Sequence, residues 1–292
     1  MHIIDITIVI TYLIVCIFIG LYKSKSITTL KEYTLGGGYF SNLVISTTLF
    51  CTYIGASETI GVVGQISIYG VFFIIPLFLS PIAWLMMAQV YGKNISKFHG
   101  CLSISDIMER LYGKAGKWVT NIVTLSLAVV VTTTQSTAIG VIANYYFAIP
   151  VLWGTAIGAL TVAFYSATGG IRAVALTDAF QFAVLIIAIP VACSYIYHDV
   201  GGYSGIVNSL PKEMLRLDIN MDNIALFLSL IVFNLVPETS GTFVQRFLMS
   251  KGNAQLTKCL RLVAAIHLPF LMFICVIGLC VKIKAHDIQP RY

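Results

Sequence analysis

Apolar residues run through this chain in long uninterrupted blocks, not in the alternation of a strand or the half-polar stripe of a surface helix. Each block is close to the roughly 20 residues that cross a hydrocarbon core. Together they predict eight membrane-spanning helices, over residues 3–22, 43–65, 70–91, 118–146, 151–168, 175–197, 223–247 and 262–281. The span 118–146 exceeds the usual length, so it is expected to tilt or to project beyond the bilayer. The connections are short except for 92–117 and 198–222. Within the first, residues 103–112 place Ile104, Ile107, Met108 and Leu111 on one helical face and Asp106, Glu109 and Arg110 off it. That pattern fits an amphipathic helix at the interface and, equally, a plain linker helix. The second, with Gly201-Gly202, Pro211 and mixed charges, is expected to be a partly ordered surface loop.

Two of the blocks carry a flaw at the middle. In the stretch from Ser46 to Gln65 small residues cluster around a carboxylate, as Gly55, Ala56, Ser57, Glu58, Thr59 and Gly61. A charge near the bilayer centre costs about 2.5–3.5 kcal/mol or more, so Glu58 must pair, protonate or face water. Small residues let a helix unwind and let its backbone approach a ligand. A structural pair with a basic residue of another helix is the alternative role for Glu58. The second flaw lies between Phe233 and Thr242, where Pro237 removes a helix hydrogen bond beside Glu238, and Gly241 loosens the next turn. Interrupted helices at corresponding places of two halves point to a binding site at the membrane midplane, whereas one alone would be a proline kink. Ser57, Gln135 and Glu238 are the candidates to line the substrate path. Gln135 belongs to a polar run, Thr132 to Thr137, which either borders a water-filled path or bonds back to helix carbonyls. Asp178 follows the turn Gly169-Gly170-Ile171-Arg172. Its spacing to Gln181 is that of a capping box, and the same carboxylate is also placed to help an ion leave inward.

Composition narrows the function classes. The 292 residues are 58% hydrophobic and only 10% charged, against about 25% charged in a soluble domain, so this is an all-α polytopic membrane protein. The basic residues are scattered over short loops, which argues against a nucleic-acid partner; the lipid bilayer is the expected surroundings. The seven cysteines form no CxxC pair and read as small buried apolar residues. No nucleophile–base pair, metal cluster or phosphate loop points to an enzyme. A cleaved leader is not expected, since the first block is long, begins uncharged and is followed by lysines. With the N-terminus outside, the inner segments hold Lys23, Lys25, Lys31, Lys93, Lys97, Arg110, Lys114, Lys117, Arg172, Arg246, Lys251, Lys258 and Arg261. The outer ones keep Lys212, Arg216, Lys282, Lys284 and Arg291, an asymmetry that sets the orientation.

Four motifs carry a likeness: Tyr33-Thr-Leu-Gly-Gly-Gly38, Ile54-Gly-Ala-Ser-Glu-Thr59, the run from Ala167 through Gly169-Gly170 and Thr177-Asp178 to Gln181, and Val244-Gln-Arg-Phe-Leu248. From about residue 5 onward the chain resembles the sodium:solute symporter family, and its sodium/proline members in the carboxylate at Glu58. The resemblance implies a LeuT-type inverted-repeat fold within one transmembrane transporter domain, 1–292. An extra N-terminal helix (1–22) would precede a first five-helix repeat (43–197) and the start of a second (223–282). The resemblance also implies Na+ as the coupling ion, held in part by backbone carbonyls of Ala56 and Thr59. It implies a role in sodium coupling for Glu58 and places Asp178 on the inward sodium exit route. Where the family has Leu-Gly-Gly-Arg, this chain has Gly38.

The expected function is therefore sodium-coupled symport of a small organic solute such as an amino acid. The second repeat is expected to be incomplete, with two of its five helices and without its hydroxyl sodium ligands, as in a fragment of such a transporter. Two alternatives stay open: the membrane sensor module of a transporter–histidine kinase fusion, with a missing C-terminal part or kinase region as partner, and a non-functional remnant. The orientation is directly testable. Alkaline phosphatase fused within 198–222 should be active, and the same fusion within 92–117 inactive; the opposite pattern would invert the topology.

Overall fold

The computed structural model describes residues 3–22, 29–38 and 40–284. Lys23, Lys25 and Arg291 of the charge count lie outside them. All the regular elements among the described residues are helical. They are α1 (Ile3–Tyr22), α2 (Leu30–Leu35), α3 (Asn42–Tyr53), α4 (Val62–Tyr69), α5 (Val71–Leu77), α6 (Ser80–Val90), α7 (Ile104–Phe147), α8 (Val151–Asp199), α9 (Gly202–Ser209), α10 (Ile224–Leu235), α11 (Gly241–Leu248) and α12 (Asn253–Lys284). Among the described residues, four stretches are long and apolar enough to cross a membrane unaided: Val71–Val90, Ile104–Phe147, Gly169–Asp199 and Asn253–Lys284. A fifth span is a pair of helices, Asn42–Tyr53 and Ser57–Tyr69, bent by 60° at their junction. Ile6–Ile19, Val151–Phe164 and Ile224–Leu235 are shorter apolar helices. Helix is the only regular answer an isolated segment has in hydrocarbon, because it satisfies its own backbone.

Tertiary contacts divide the chain into two compact units. One comprises Met1–Thr52, Val90–Phe182 and Thr239–Cys259; the other comprises Tyr53–Gln89, Ala183–Glu238 and Leu260–Tyr292. Two of the dividing positions, after Thr52 and after Glu238, adjoin the two interruptions expected from the sequence.

In the first unit the helix expected over 103–112 is present: Ser103 caps it, its Oγ accepting the Asp106 N–H at 3.2 Å, and the non-helical Gly113 (φ 71°, ψ −167°) separates it from the rest of α7. The two spans expected at 151–168 and 175–197 are likewise two helical halves of α8, separated at the non-helical Gly170 (φ 53°, ψ −158°). A Cβ at Gly170 would sit 2.8 Å from the Tyr33 carbonyl oxygen, so this break needs glycine both for its backbone angle and for room. Tyr33 repairs part of the lost bonding, its hydroxyl donating to the Ala167 carbonyl at 3.2 Å. Small residues also let α7 and the first half of α8 approach closely. A Cβ on Gly140 would overlap Thr155 Oγ1 and lie 2.5 Å from the Val151 carbonyl oxygen. On Gly154 it would lie 2.8 Å from the Ala143 Cβ.

In the second unit residues 198–222 depart from expectation. They form α9 and a tight turn over Lys212–Leu215, and Ile206, Leu210 and Met214 are buried with Cys280 of α12. The turn signal at Pro211 does end α9, Leu210 before it being extended (φ −83°, ψ 144°), and it is the burial of Ile206, Leu210 and Met214 that fixes the segment. Phe72 of α5 and Phe227 of α10 pack with ring centroids 5.2 Å apart. The seven cysteines are all free and six of them buried, in keeping with their reading as small apolar residues.

The close approach of α7 and α8 generates a test. Gly140→Leu should lower the thermal midpoint of the detergent-solubilised protein, at a cost of about 1–3 kcal/mol for overpacking. Gly64→Ala, whose added methyl meets nothing within 4 Å, should leave that midpoint unchanged.

Candidate functional site

The first interruption begins where α3 ends at Tyr53. Ile54 and Gly55 leave the helix, and the chain re-enters it through a wide π turn over Ser57–Gly61. Backbone groups freed in this way must find partners, since hydrocarbon offers none. Gly55 donates its N–H to the Tyr53 carbonyl at 3.1 Å. The Gly55 carbonyl accepts twice from Thr59, from its N–H at 3.1 Å and its hydroxyl at 2.9 Å. The same hydroxyl oxygen stands 3.5 Å from the Ala56 carbonyl oxygen. The Val62 N–H bonds the carbonyls of Ser57 and Thr59. Thr59 thus stabilises the break with its side chain, a role the sequence reading assigned only to its carbonyl. Ala56, Glu58 and Thr59 are half-buried, and Ser57 is exposed.

The second interruption is residues 236–240, between α10 and α11, with Glu238 half-buried at its centre. Tyr53, the last residue of α3, stands at the start of the first interruption. Tyr53 is flanked in turn by Trp84 and His267. The sequence reading missed all three rings. The available signal was a histidine inside the apolar block 262–281 and a tyrosine abutting the small-residue cluster.

Asp178 belongs to the first unit. It does not cap a helix: residues on both sides of it are helical, and it lies two turns beyond the Gly170 break. Its carboxylate instead meets the guanidinium of Arg246, Nη2 to Oδ2 at 3.3 Å, and accepts a hydrogen bond from the Thr48 hydroxyl. Arg246 Nε donates to Thr48 Oγ1 at 3.0 Å and its Nη1 to the Thr242 carbonyl at 3.1 Å. All three side chains are buried, with Arg246 at 8% and Asp178 at 9% exposure. An arginine so deep requires such a partner, because an unpaired charge there would be costly. Arg246 and Thr48 were not foreseen; Arg246 was counted only among the inner basic residues.

The same unit accounts for three of the four motifs, all but Ile54–Thr59. Gln245 Nε2 donates to the Thr34 carbonyl at 2.9 Å, and Phe247 stacks on Tyr91 at 5.5 Å. Arg172 Nε donates to the Gly36 carbonyl at 3.1 Å, so a basic group reaches the glycine turn that lacks one at Gly38. Gln135 is half-buried on α7. Its neighbours Thr133 and Thr134 bond back to the Val129 and Val130 carbonyls at 2.8 and 3.0 Å, which favours helix satisfaction over a water path for those two hydroxyls.

The family model of the sodium:solute symporter family matches residues 33–289. The chain belongs to that family. It is 29% identical over 209 residues to the sodium/pantothenate symporter of Escherichia coli (strain K12), covering 69% of this chain and 43% of that protein. The sodium/pantothenate symporter of Haemophilus influenzae is 27% identical over 188 residues, covering 63% and 39%. A solved structure of a Na+-coupled sialic acid symporter, in a substrate-bound outward-open state, matches with a TM-score of 0.83 at 18% identity, over all of this chain and 63% of that one. The fold is therefore that of a sodium-coupled symporter, in a multi-pass membrane protein of a transporter family and not an enzyme. The chain spans about two fifths of the length of these curated relatives. Both of these relatives are sodium/pantothenate symporters, whereas the resemblance at Glu58 was to the sodium/proline members.

The buried pair yields a prediction. Asp178→Asn should destabilise the protein by about 3–5 kcal/mol, because it leaves the Arg246 charge buried and unpaired. Replacing both, as Asp178→Leu with Arg246→Leu, should recover most of that loss in the same denaturation measurement.

Proposed function

We propose that this chain provides the first break, the second break and the inner ion pair of a transporter that couples inward sodium movement to uptake of a small organic solute. The observation that carries the proposal is the pair of interrupted helices, each with a half-buried carboxylate at its break, Glu58 in the first and Glu238 in the second. Sodium is a hard cation that takes oxygen ligands, and an unwound helix exposes backbone carbonyls to it. In this proposal the Ala56 and Thr59 carbonyls hold sodium while Glu58 supplies the local negative charge that favours it. Ser57, Gln135 and Glu238 line the solute path. Asp178, released from Arg246 in the inward-open state, passes the ion toward the cytoplasm. The N-terminus lies outside, and residues 43–197 and 223–282 act as a first repeat and the start of a second.

Sodium would favour the solute-accepting state only by binding it more tightly than the alternative state. The solute is a small polar organic molecule. The named relatives favour a carboxylate such as pantothenate, and an amino acid rests on Glu58 alone.

The test uses the purified protein in nanodiscs and in liposomes. It should bind 22Na+ saturably, and accumulate radiolabelled pantothenate faster with an inward sodium gradient than with potassium. Glu58→Ala should weaken sodium binding by at least about tenfold, the equivalent of about 1.4 kcal/mol. Saturable sodium binding unaltered by Glu58→Ala would remove Glu58 from the proposed role. Absence of sodium binding in the unaltered protein would overturn the proposal as a whole.

A further inference from the structure

Three rings meet at the start of the first break. Tyr53 is the last residue of α3, and its carbonyl takes the N–H of Gly55, so the ring and the first turn of the break are tied to one peptide. The Tyr53 ring lies 5.5 Å from Trp84 of α6 at 74°, and 5.1 Å from His267 of α12 at 73°. Trp84 and His267 are themselves 6.4 Å apart at 88°. Each pair is edge to face, the arrangement that sets the positive rim of one ring against the negative face of another. Trp84 and His267 are each 1% exposed, and Tyr53 between them is half-buried.

A break has given up helix hydrogen bonds, so side-chain packing must decide where its carbonyls point. The small residues Gly55, Ala56 and Ser57 have little with which to do this themselves. The nearest large anchor in sequence is Tyr53, and that anchor is held from α6 and α12. An aliphatic residue at 267 could fill the same space but would not offer a ring edge to Tyr53.

We propose that His267 and Trp84 are positioning residues for ion binding: they clamp the Tyr53 ring and thereby hold the following break, with its Ala56 and Thr59 carbonyls, in the conformation that accepts a cation. The inference rests on the sodium reading given above, and the clamp acts through Tyr53 without touching the ion.

The experiment compares His267→Phe and His267→Leu by 22Na+ binding to the purified protein in nanodiscs, with binding capacity per folded protein as the control. Loss of two edge-to-face pairs is worth about tenfold in an equilibrium constant. His267→Leu should weaken sodium binding by that factor at unchanged capacity. His267→Phe, which keeps a flat ring, should stay within about twofold of the unaltered protein. Should His267→Leu fail to accumulate, Trp84→Leu against Trp84→Phe gives the same comparison. Equal affinity in the Leu and Phe variants, whether both normal or both weakened, overturns the clamp. An unaltered protein that binds no sodium overturns the sodium reading on which the clamp rests, a result distinct from sodium binding that is indifferent to residue 267.

Discussion

The guanidinium of Arg246 and the carboxylate of Asp178 lie 3.3 Å apart with almost no access to solvent, and the packing of the first unit depends on them. Neither charge is tolerable there alone. Thr48 joins them with both its donor and its acceptor capacity, so α3, α8 and α11 are fixed to one another by a single polar cluster. The neighbouring side-chain bonds from Gln245 to Thr34 and from Arg172 to Gly36 extend the same logic to the loop ahead of α3.

Backbone satisfaction is the second constraint. Hydrocarbon does not tolerate an orphaned peptide group, yet this chain interrupts its helices near residues 55, 170 and 238. At the first break the Thr59 hydroxyl takes over a carbonyl, and at the Gly170 break the Tyr33 hydroxyl does so. The breaks are therefore built features with dedicated side-chain partners. Two of them carry half-buried carboxylates, Glu58 and Glu238.

Much of this was legible beforehand. The eight apolar blocks all became helical, and both interruptions fell where Gly55–Gly61 and Pro237–Gly241 placed them. The boundaries at Gly113 and at Gly169-Gly170 were legible too, since a glycine in a non-helical conformation separates two helical runs at each. The cap reading of Asp178 failed. The spacing to Gln181 is correct for a cap, but the helix had already begun.

What the sequence determined by itself is what the bilayer reads locally: which segments are apolar for long enough to span, and where small residues or proline weaken them. Those properties belong to contiguous residues and follow from hydrophobic length and peptide geometry. Tertiary structure alone decided the pairings. Arg246 finds Asp178 from 68 residues away and Thr48 from 198. His267 finds Tyr53 across most of the chain. A buried charge or ring requires a partner, but its own neighbourhood in sequence does not say which one; that choice is made only when packed helices leave a single group within reach.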